Sequence, residues 1–305
     1  MEVYDGSILA STQNVIVISI EYRLDSLGFL YLNTTDAPGN QGLYDQLLAF
    51  EWIHTNIKNF GGDPQRITLF GESAGGVSIG LHMLSHKTRH LFTNAILQSS
   101  GPTAKWAVLE PRIARYRSER FINNLTNYIL KHYEAGPSDP EYSITPEQCR
   151  KPLITMEDKF LCVKNYPILS HDHFSASWVV DSYNGGPIGY QFVPTIDSDF
   201  IPYDPEQMLI KGDYKRCPIL LGVNQDEGVY FNIYVPQGNM SHDSWAYVDY
   251  ETFQKGIREY FQYIPIFPTK SPPMVIESIL QRYTNWDDYN NTVQNAVQLS
   301  FAVGK

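Results

Sequence analysis

The feature that most directly suggests chemistry is a serine inside a glycine-rich pentapeptide, Gly71-Glu72-Ser73-Ala74-Gly75. β-branched and aromatic residues precede it and a small, apolar, helix-like stretch follows it, which is the strand–turn–helix context of a G-x-S-x-G nucleophile elbow. Such a turn is so tight that the residues two before and two after the serine are expected to lack side chains. We therefore predict that Ser73 is a catalytic nucleophile whose oxygen projects above a sheet.

A serine hydroxyl is a poor nucleophile at neutral pH, so a histidine must take its proton and a carboxylate must orient that histidine. Where the chain order is serine, acid, histidine, the acid is expected at Glu227, just after an apolar run at residues 218–223, and Asp226 is the alternative. The only histidine after Glu227 is His242, and the interval is short for a loop, a crossover helix and a further strand. We expect this chain to carry the nucleophile and the acid but not the base.

The negative charge of a tetrahedral intermediate needs backbone N–H donors around it. One candidate donor is the N–H of Ala74, because it opens the helix after the serine and a helix N-terminus favours negative charge. The partner donors normally come from a glycine-rich loop after an earlier strand, and no such loop precedes Ser73 in this sequence. Half of an oxyanion hole is therefore expected.

Strand-like and helix-like segments alternate along the chain. The β-branched run at 14–22 predicts a strand buried on both faces of a parallel sheet. A helix is expected over 42–59, where Tyr44, Leu48 and Trp52 recur every four residues, and another from Ser73 to about Leu84. Further strands are expected over 66–70, 94–98 and 218–223, and mostly helix after them. This alternation predicts an α/β layer architecture, with one catalytic domain over 1–305 and an insertion over the sheet at about 111–187.

Composition narrows the classes of function. The 305 residues carry a formal net charge of −10, which disfavours a nucleic-acid partner, and no apolar run reaches the length of a membrane span. Nothing in the sequence indicates a cofactor or a metal. The separation of Cys149 and Cys162 suits a local disulfide, whereas Cys217 is expected to be a lone buried thiol. Together with that disulfide, four N-glycosylation sequons favour the secretory route: Asn33, Asn124, Asn239 and Asn290.

Several segments resemble type-B carboxylesterases, and most of all the cholinesterases: residues 21–30, 37–46, 60–64, 70–76, 97–99, 192–197 and 221–228. The resemblance extends over nearly the whole chain at consistent spacing. It implies an α/β-hydrolase fold, Ser73 as nucleophile, Glu227 rather than Asp226 as acid, and a Cys149–Cys162 disulfide. It also implies that the family's glycine-rich oxyanion loop lies before Met1 and its catalytic histidine beyond Lys305, so that the domain is incomplete at both ends and the isolated chain is inactive.

The resemblance also implies a pocket that binds the substrate. Aromatic faces attract a quaternary ammonium by roughly 0.5–2 kcal/mol each, and a carboxylate adds long-range attraction. Tyr190 would fill the acyl pocket and favour a small acyl group, while Ile188 leaves that pocket partly open. The family's pocket positions fall on Glu72, Trp106, Tyr190, Tyr230 and Phe231, with Tyr4 near the choline end and Ile188 at the acyl end.

Three functions are therefore compared. The first is a cholinesterase-like serine ester hydrolase that forms an acyl-serine intermediate, with a small ester, cationic or neutral, as partner. The second is a general carboxylesterase for neutral esters. The third is a non-catalytic adhesion protein on the same scaffold, which the intact serine and acid argue against. The expected location is secreted or extracellular, and both a membrane anchor and a homodimer of the full-length protein are left open.

Overall fold

The computed structural model describes residues 5–134, 149, 153–164, 190–228, 248–261 and 271–304. The chain divides into two compact units, Met1–Arg120 with Phe192–Gly222, and Phe121–Gln191 with Val223–Lys305. Among the described residues no helix combines the length and the apolarity needed to cross a membrane. The single domain over 1–305 and the insertion over 111–187 stay predictions.

Short helices and strands alternate in the first unit. Its elements are α1 (Ser7–Gln13), α2 (Asp25–Phe29), β1 (Tyr31–Thr34), β2 (Ala37–Pro38), α3 (Gln41–Asn56), a 3₁₀ turn (Ile57–Phe60), β3 (Thr68–Glu72), α4 (Ala74–Leu84), β4 (Asn94–Gln98), α7 (Pro205–Lys211) and β5 (Ile219–Gly222). Helix α5 (Pro111–Glu134) continues from the first unit into the second. The second unit also contains α6 (Met156–Lys164), α8 (Tyr250–Phe261), α9 (Pro273–Tyr283) and α10 (Thr292–Gly304).

The central sheet of the first unit is parallel, with the strand order β3-β4-β5. Its register places Phe70 of β3 opposite Ile96 of β4, and Ile96 opposite Leu220 of β5. Helix α4 connects β3 to β4, which makes a βαβ unit. The predicted α/β architecture is confirmed, and the expected strand over 94–98 matches β4 residue for residue.

A small core lies between α4 and the sheet. Ile79 and Met83 of α4 pack with Ala95 and Leu97 of β4 and with Phe92, which lies just before that strand. All five are less than a tenth exposed. Burial of aliphatic and aromatic side chains is the main force that fixes the helix on the sheet. This core therefore holds in place the turn that joins β3 to α4.

The strand expected at 14–22 is wrong. Residues 15–24 form neither helix nor strand, and Val15, Ile16 and Ile18 are 46%, 46% and 39% exposed. A β-branched run favours extended backbone, but a strand also needs a neighbour that completes its hydrogen bonds. Within the described part of the chain, the sheet contains no strand that pairs with these residues. The extended preference is therefore present here without the pairing.

The helix expected over 42–59 is confirmed as α3 with its 3₁₀ turn, but its apolar repeat does not mark the buried face. Leu48 and Trp52 are 66% and 53% exposed, whereas Leu43, Gln46 and Phe50 are buried. The opposite face of the helix, which carries Leu43, Gln46 and Phe50, makes the contact with the core.

The second unit has a helical core of its own. Phe253 and Ile257 of α8 pack with Leu280 of α9 and Leu299 of α10. The prediction of mostly helix after β5 is confirmed for the described residues of that stretch, 248–261 and 271–304. The expected disulfide between Cys149 and Cys162 is also confirmed.

Cys217, in the first unit, is free as expected but only half-buried. Partial burial raises the pKa of its thiol. The predicted lone thiol is therefore correct, and its complete burial is wrong.

Candidate active site

Ser73 lies at the junction of β3 and α4, in a backbone conformation that L-residues rarely adopt. Its φ and ψ angles are 53° and −115°, and holding a non-glycine residue there costs of order 1–3 kcal/mol. Two backbone hydrogen bonds hold the turn: the Ser73 N–H donates to the Gln98 carbonyl at 2.9 Å, and the Val77 N–H donates to the Ser73 carbonyl at 3.0 Å. The strand–turn–helix context expected of an elbow is therefore present, with the strain that such a turn requires.

The hydroxyl of Ser73 does not serve the helix. Ser73 occupies the N-cap position of α4, where a serine side chain usually accepts a hydrogen bond from the first turn, yet it makes no capping bond. Ser73 is half-buried and Ala74 is exposed. The N–H groups of the first turn of an α-helix have no partner within the helix. A hydroxyl that makes no capping bond thus lies beside the backbone donor proposed for the oxyanion, Ala74.

The glycines around the serine have separate roles. A Cβ added at Gly71 would lie 2.7 Å from the carbonyl carbon of Gly75, so the strand and the helix pass too closely there for any side chain. A Cβ added at Gly75 would meet nothing within 4 Å. The expectation that both positions must lack side chains therefore holds at Gly71 and is wrong at Gly75.

A third glycine that sequence reasoning did not single out packs against the end of β4. A Cβ at Gly76 would lie 3.0 Å from the Ser100 carbonyl oxygen and 3.1 Å from the Gln98 carbonyl oxygen. Gln98 is the residue that accepts the hydrogen bond from the Ser73 N–H. Gly76 therefore allows α4 to approach the strand end that supports the elbow. The Gly-Gly pair after the serine was the available signal.

Glu227 belongs to the second unit and follows β5 by one short turn. It is half-buried, and its Oε1 accepts a hydrogen bond from the Asn224 N–H at 2.7 Å. The neighbouring carboxylate, Asp226, is exposed. A backbone donor on one oxygen fixes the side chain while the second oxygen keeps its lone pairs, which suits a carboxylate that must accept a further N–H.

The structure describes only part of the expected pocket. Glu72 ends β3 opposite Gln98 and is exposed, Trp106 is half-buried, and Tyr190 is 46% exposed. Glu72, Ser73 and Ala74 are brought together by chain continuity at the carboxyl end of β3. The remaining expected residues lie outside the described part of the chain: Tyr4, Ile188, Tyr230 and Phe231, with His242.

Two described histidines, His82 and His86, make contacts away from the elbow serine. His82 of α4 is fully buried between the rings of Phe50 and Phe200, and its Nε2 lies 2.7 Å from Gln46 Oε1. Burial lowers the pKa of His82 to about 3, so the imidazole is neutral. His86 bonds to Asp213 at 3.1 Å. No described group of three or more His, Cys, Asp and Glu side chains is arranged to hold a metal ion.

Three of the four sequons lie in the described regions. Asn33, Asn124 and Asn290 are exposed, while Asn239 lies outside those regions. Within the second of these sequons, the hydroxyl-bearing residue Thr126 is only 2% exposed, on the buried face of α5. Exposure makes glycosylation sterically feasible at Asn33 and Asn290, and the folded helix opposes it at Asn124.

Asn40 is a second feature that sequence reasoning did not single out. It is completely buried just before α3, and its side chain binds residues about 155 positions later in the chain. Its signal was the Pro38-Gly39-Asn40 turn before a helix, because asparagine is one of the few residues that adopt a positive φ, which is 61° here.

A parallel sheet with a strained serine between a strand and a helix is the arrangement of the α/β-hydrolases. The chain belongs to the carboxylesterase family, whose model matches residues 1–304. It is 37% identical over 305 residues to an acetylcholinesterase of Bungarus fasciatus and 37% identical over 306 residues to one of Danio rerio. It is also 34% identical over 304 residues to an acetylcholinesterase of Myxine glutinosa.

Each of these matches covers the whole of this chain. The chain covers 45% of the Bungarus protein, 43% of the Danio protein and 80% of the Myxine protein. It thus spans about half the length of the first two relatives.

Proposed function

We propose that the protein containing this chain is a serine ester hydrolase of the cholinesterase type. The observation that carries the proposal is the strained turn at Ser73, whose hydroxyl makes no cap for α4 although it occupies the cap position. The turn costs stability and its serine gives the helix no hydrogen bond. A role of that hydroxyl as the nucleophile would explain both features. Membership in the carboxylesterase family supports the same chemistry.

The proposed reaction proceeds through an acyl-serine intermediate. Ser73 Oγ attacks the ester carbonyl carbon while a histidine, oriented by Glu227, takes the hydroxyl proton. The carbonyl oxygen becomes an oxyanion that the Ala74 N–H stabilises, and one such donor is worth roughly 2.7–4 kcal/mol of barrier. The C–O bond of the ester then breaks, and the alcohol leaves with the proton. Water repeats the sequence on the acyl-serine and releases the acid.

Ser73→Ala tests the chemistry. In the whole protein, this variant is expected to abolish ester turnover and covalent labelling by an organophosphate, because the acyl or phosphoryl acceptor is lost. The matched control is Ser78→Ala, one turn further along α4, where the hydroxyl donates to the Ala74 carbonyl at 2.9 Å. Ser78→Ala should still be labelled. Labelling that survives in Ser73→Ala would contradict the proposal, and its loss in Ser78→Ala instead would assign the acceptor to Ser78.

The preferred substrate in this proposal is a choline ester. Glu72 lies beside the nucleophile, Trp106 and Tyr190 occupy pocket positions implied by the resemblance, and the chain carries a net charge of −10. Each cation–aromatic contact, at roughly 0.5–2 kcal/mol, corresponds to about a 2- to 30-fold preference. The relatives at 37% identity are acetylcholinesterases, which favours the same substrate class.

The competing function is a general carboxylesterase for neutral esters. The two are separated by the ratio of kcat/KM for acetylthiocholine to kcat/KM for its uncharged 3,3-dimethylbutyl isostere. We expect a ratio above ten that falls in Glu72→Gln and is unchanged in Glu51→Gln, an exposed glutamate of α3. A ratio near one in the wild-type protein would favour the neutral-ester enzyme. No ester turnover at all would favour the non-catalytic scaffold.

The 305 residues alone are a further test. The only histidine after Glu227 is His242, so we propose that the isolated chain lacks the base and hydrolyses esters poorly or not at all. Turnover by the isolated chain that is lost in both Ser73→Ala and His242→Ala would show that His242 is the base and overturn this proposal.

We propose that the protein is exported from the cell, because it contains a disulfide and exposed N-glycosylation sequons. Treatment of the secreted protein with an N-glycosidase should increase its mobility on a gel, and Asn33→Gln and Asn290→Gln should each remove part of that shift. A membrane anchor and a homodimer of the whole protein stay predictions, which membrane fractionation and sedimentation would test.

A further inference from the structure

Basic side chains lie just before β4 and just before β5, two strands that pair in parallel from Ala95 and Ile219 onward. The loop after α4, residues 85–90, meets the segment 211–216 there. The Lys215 N–H donates to the carbonyl of Met83 in α4 at 2.8 Å, and Lys215 Nζ donates to the Arg89 carbonyl at 2.7 Å. Both segments belong to the first unit. Two stretches that are far apart in sequence therefore form one surface.

The carboxylate of Asp213 joins the two segments. It accepts hydrogen bonds from His86 Nε2 at 3.1 Å, from the Arg89 guanidinium at 2.9 Å and from the Tyr203 hydroxyl at 3.3 Å. The bonds from His86 and Arg89 lower the pKa of Asp213, so this carboxyl group is ionised at neutral pH. One carboxylate thus fixes two basic side chains of the loop after α4.

Two further cations of this surface contact aromatic rings. Lys211 Nζ lies 4.5 Å from the centroid of the Tyr203 ring, and Lys215 Nζ lies 5.0 Å from the centroid of the Phe92 ring. A contact with a ring face positions an ammonium group without neutralising its charge. Lys211 is exposed, as is Arg216, the residue after Lys215. The surface therefore presents positive charge to the solvent.

The five Lys and Arg side chains of this surface are called the basic face: Lys87, Arg89, Lys211, Lys215 and Arg216. Among the described residues two carboxylates pair with it, Asp213 with Arg89 at 2.9 Å and Asp199 with Lys87 at 2.8 Å. This excess of cations reverses the balance of the whole chain, which has 23 Lys and Arg against 33 Asp and Glu. No Asp or Glu occurs between Glu72 and Glu110. A local concentration of positive charge in an acidic protein attracts anions to that place.

The basic face and Ser73 lie at opposite ends of α4. Ser73 immediately precedes the helix, which runs over 11 residues to Leu84, and the loop 85–90 follows. At a rise of 1.5 Å per residue, α4 is about 16 Å long. The basic face is therefore a surface separate from the candidate active site.

We propose that the basic face binds a sulfated polysaccharide chain. Its cations are spread over two segments of the protein, so an extended polyanion can place a different sulfate against each of them, whereas a small anion reaches one or two. Sulfate oxygens accept charge-assisted hydrogen bonds from ammonium and guanidinium groups, which are the stronger kind. A chain with many sulfates therefore matches both the charge and the extent of the face.

The choice among polyanions rests on the proposed export of the protein. An exported protein meets sulfated polysaccharides at the cell surface, whereas the negative potential of anionic lipids belongs to the cytoplasmic leaflet, and nucleic acids lie inside the cell. The binding measurement is independent of the gel-shift test for export and of ester turnover. Failure of any one of the three is therefore distinguishable from failure of the others.

The probe is a heparin decasaccharide, titrated calorimetrically into the whole protein over a series of NaCl concentrations. Each cation that meets a sulfate is expected to release about 0.7 counterion, the value for single-stranded polyanions. Three to five such contacts predict that binding weakens about 20- to 130-fold between 50 and 200 mM salt. A fully desulfated decasaccharide, which keeps its carboxylates, should bind at least tenfold more weakly than the sulfated one.

The double variant Lys211→Gln/Arg216→Gln removes two exposed cations of the basic face. We expect the affinity at 150 mM salt to fall about tenfold, and the slope of log Kd against log salt to fall by about 1.4. The matched control is Lys58→Gln/Arg112→Gln, which removes the same charge from exposed residues outside the basic face. It should bind as the wild type does.

A loss of affinity in Lys211→Gln/Arg216→Gln that is absent from the control supports the inference. Absence of binding by the wild type, or equal weakening in both double variants, would overturn it, because the second result means that binding follows net charge alone. Tighter binding to a single-stranded DNA decamer or to phosphatidylserine vesicles would assign the face to another polyanion and overturn it as well. Ser73→Ala should bind the decasaccharide as the wild type does, whatever its ester turnover.

Discussion

Replacing Gly71 by alanine would force apart the two arms of the turn that carries Ser73. The added Cβ would lie 2.7 Å from the carbonyl carbon of Gly75 and 2.9 Å from its Cα and oxygen, all of them backbone atoms that cannot rotate away. Strand and helix would have to separate by about 0.7 Å to reach ordinary contact at 3.4 Å. Overpacking of this kind costs typically 1–3 kcal/mol. A shift of that size at Ser73, the proposed nucleophile, is expected to lower kcat by about 10- to 100-fold.

The neighbouring glycine gives a matched control. A Cβ at Gly75 would meet nothing within 4 Å, and φ at Gly75 is not positive, so Gly75→Ala should be neutral or stabilising by about 0.5–1 kcal/mol, as glycine-to-alanine changes in helices are. Urea unfolding of the whole protein measures the free energies of unfolding, and initial rates with acetylthiocholine measure kcat. Equal stability of Gly71→Ala and the wild type, or equal destabilisation by the two variants, would refute the packing argument.

Two further predictions concern stability. Burial lowers the pKa of His82 from 6.5 to about 3, so the unfolded chain binds a proton first as the pH falls. The free energy of unfolding should therefore decline by about 2 kcal/mol between neutral pH and pH 5. Urea unfolding at both pH values should show a smaller decline in His82→Gln and an undiminished decline in the control His90→Gln; equal declines in the wild type and both variants would contradict the assignment. The Cys149–Cys162 disulfide closes a short loop, so the double variant Cys149→Ser/Cys162→Ser should lose about 3 kcal/mol in the same assay, whereas a loss no greater than that of Cys217→Ser would exclude a stabilising role.

Local sequence patterns identified the elements that depend on local chemistry. The β-branched and apolar runs bounded by turns correspond to β3, β4 and β5, and the glycine-flanked serine corresponds to the junction of β3 and α4. The run at 14–22 has the same local character and forms no strand. Pairing depends on which other segment lies alongside, and a single sequence does not contain that information in local form.

The same distinction between local and long-range information applies to the candidate active site. Gly71 could be predicted because the tight turn is a property of consecutive residues, whereas the freedom at Gly75 and the restriction at Gly76 depend on how closely α4 approaches the end of β4. Asn40 could not be predicted because its partners Thr195 and Asp197 are about 155 residues away. The hydrogen bonds of the Asn40 amide to these distant residues produce only a weak sequence signal, the turn before α3.

The unusual φ of Ser73 sets thermodynamic stability against reactivity at a single residue. Glycine would adopt a φ of 53° with little penalty, so replacing the whole Ser73 side chain by hydrogen is expected to relieve strain on the order of 1–3 kcal/mol. If Ser73 has the proposed catalytic role, serine is present there at the expense of stability, and relatives without that chemistry would be expected to keep the fold and carry glycine at this position.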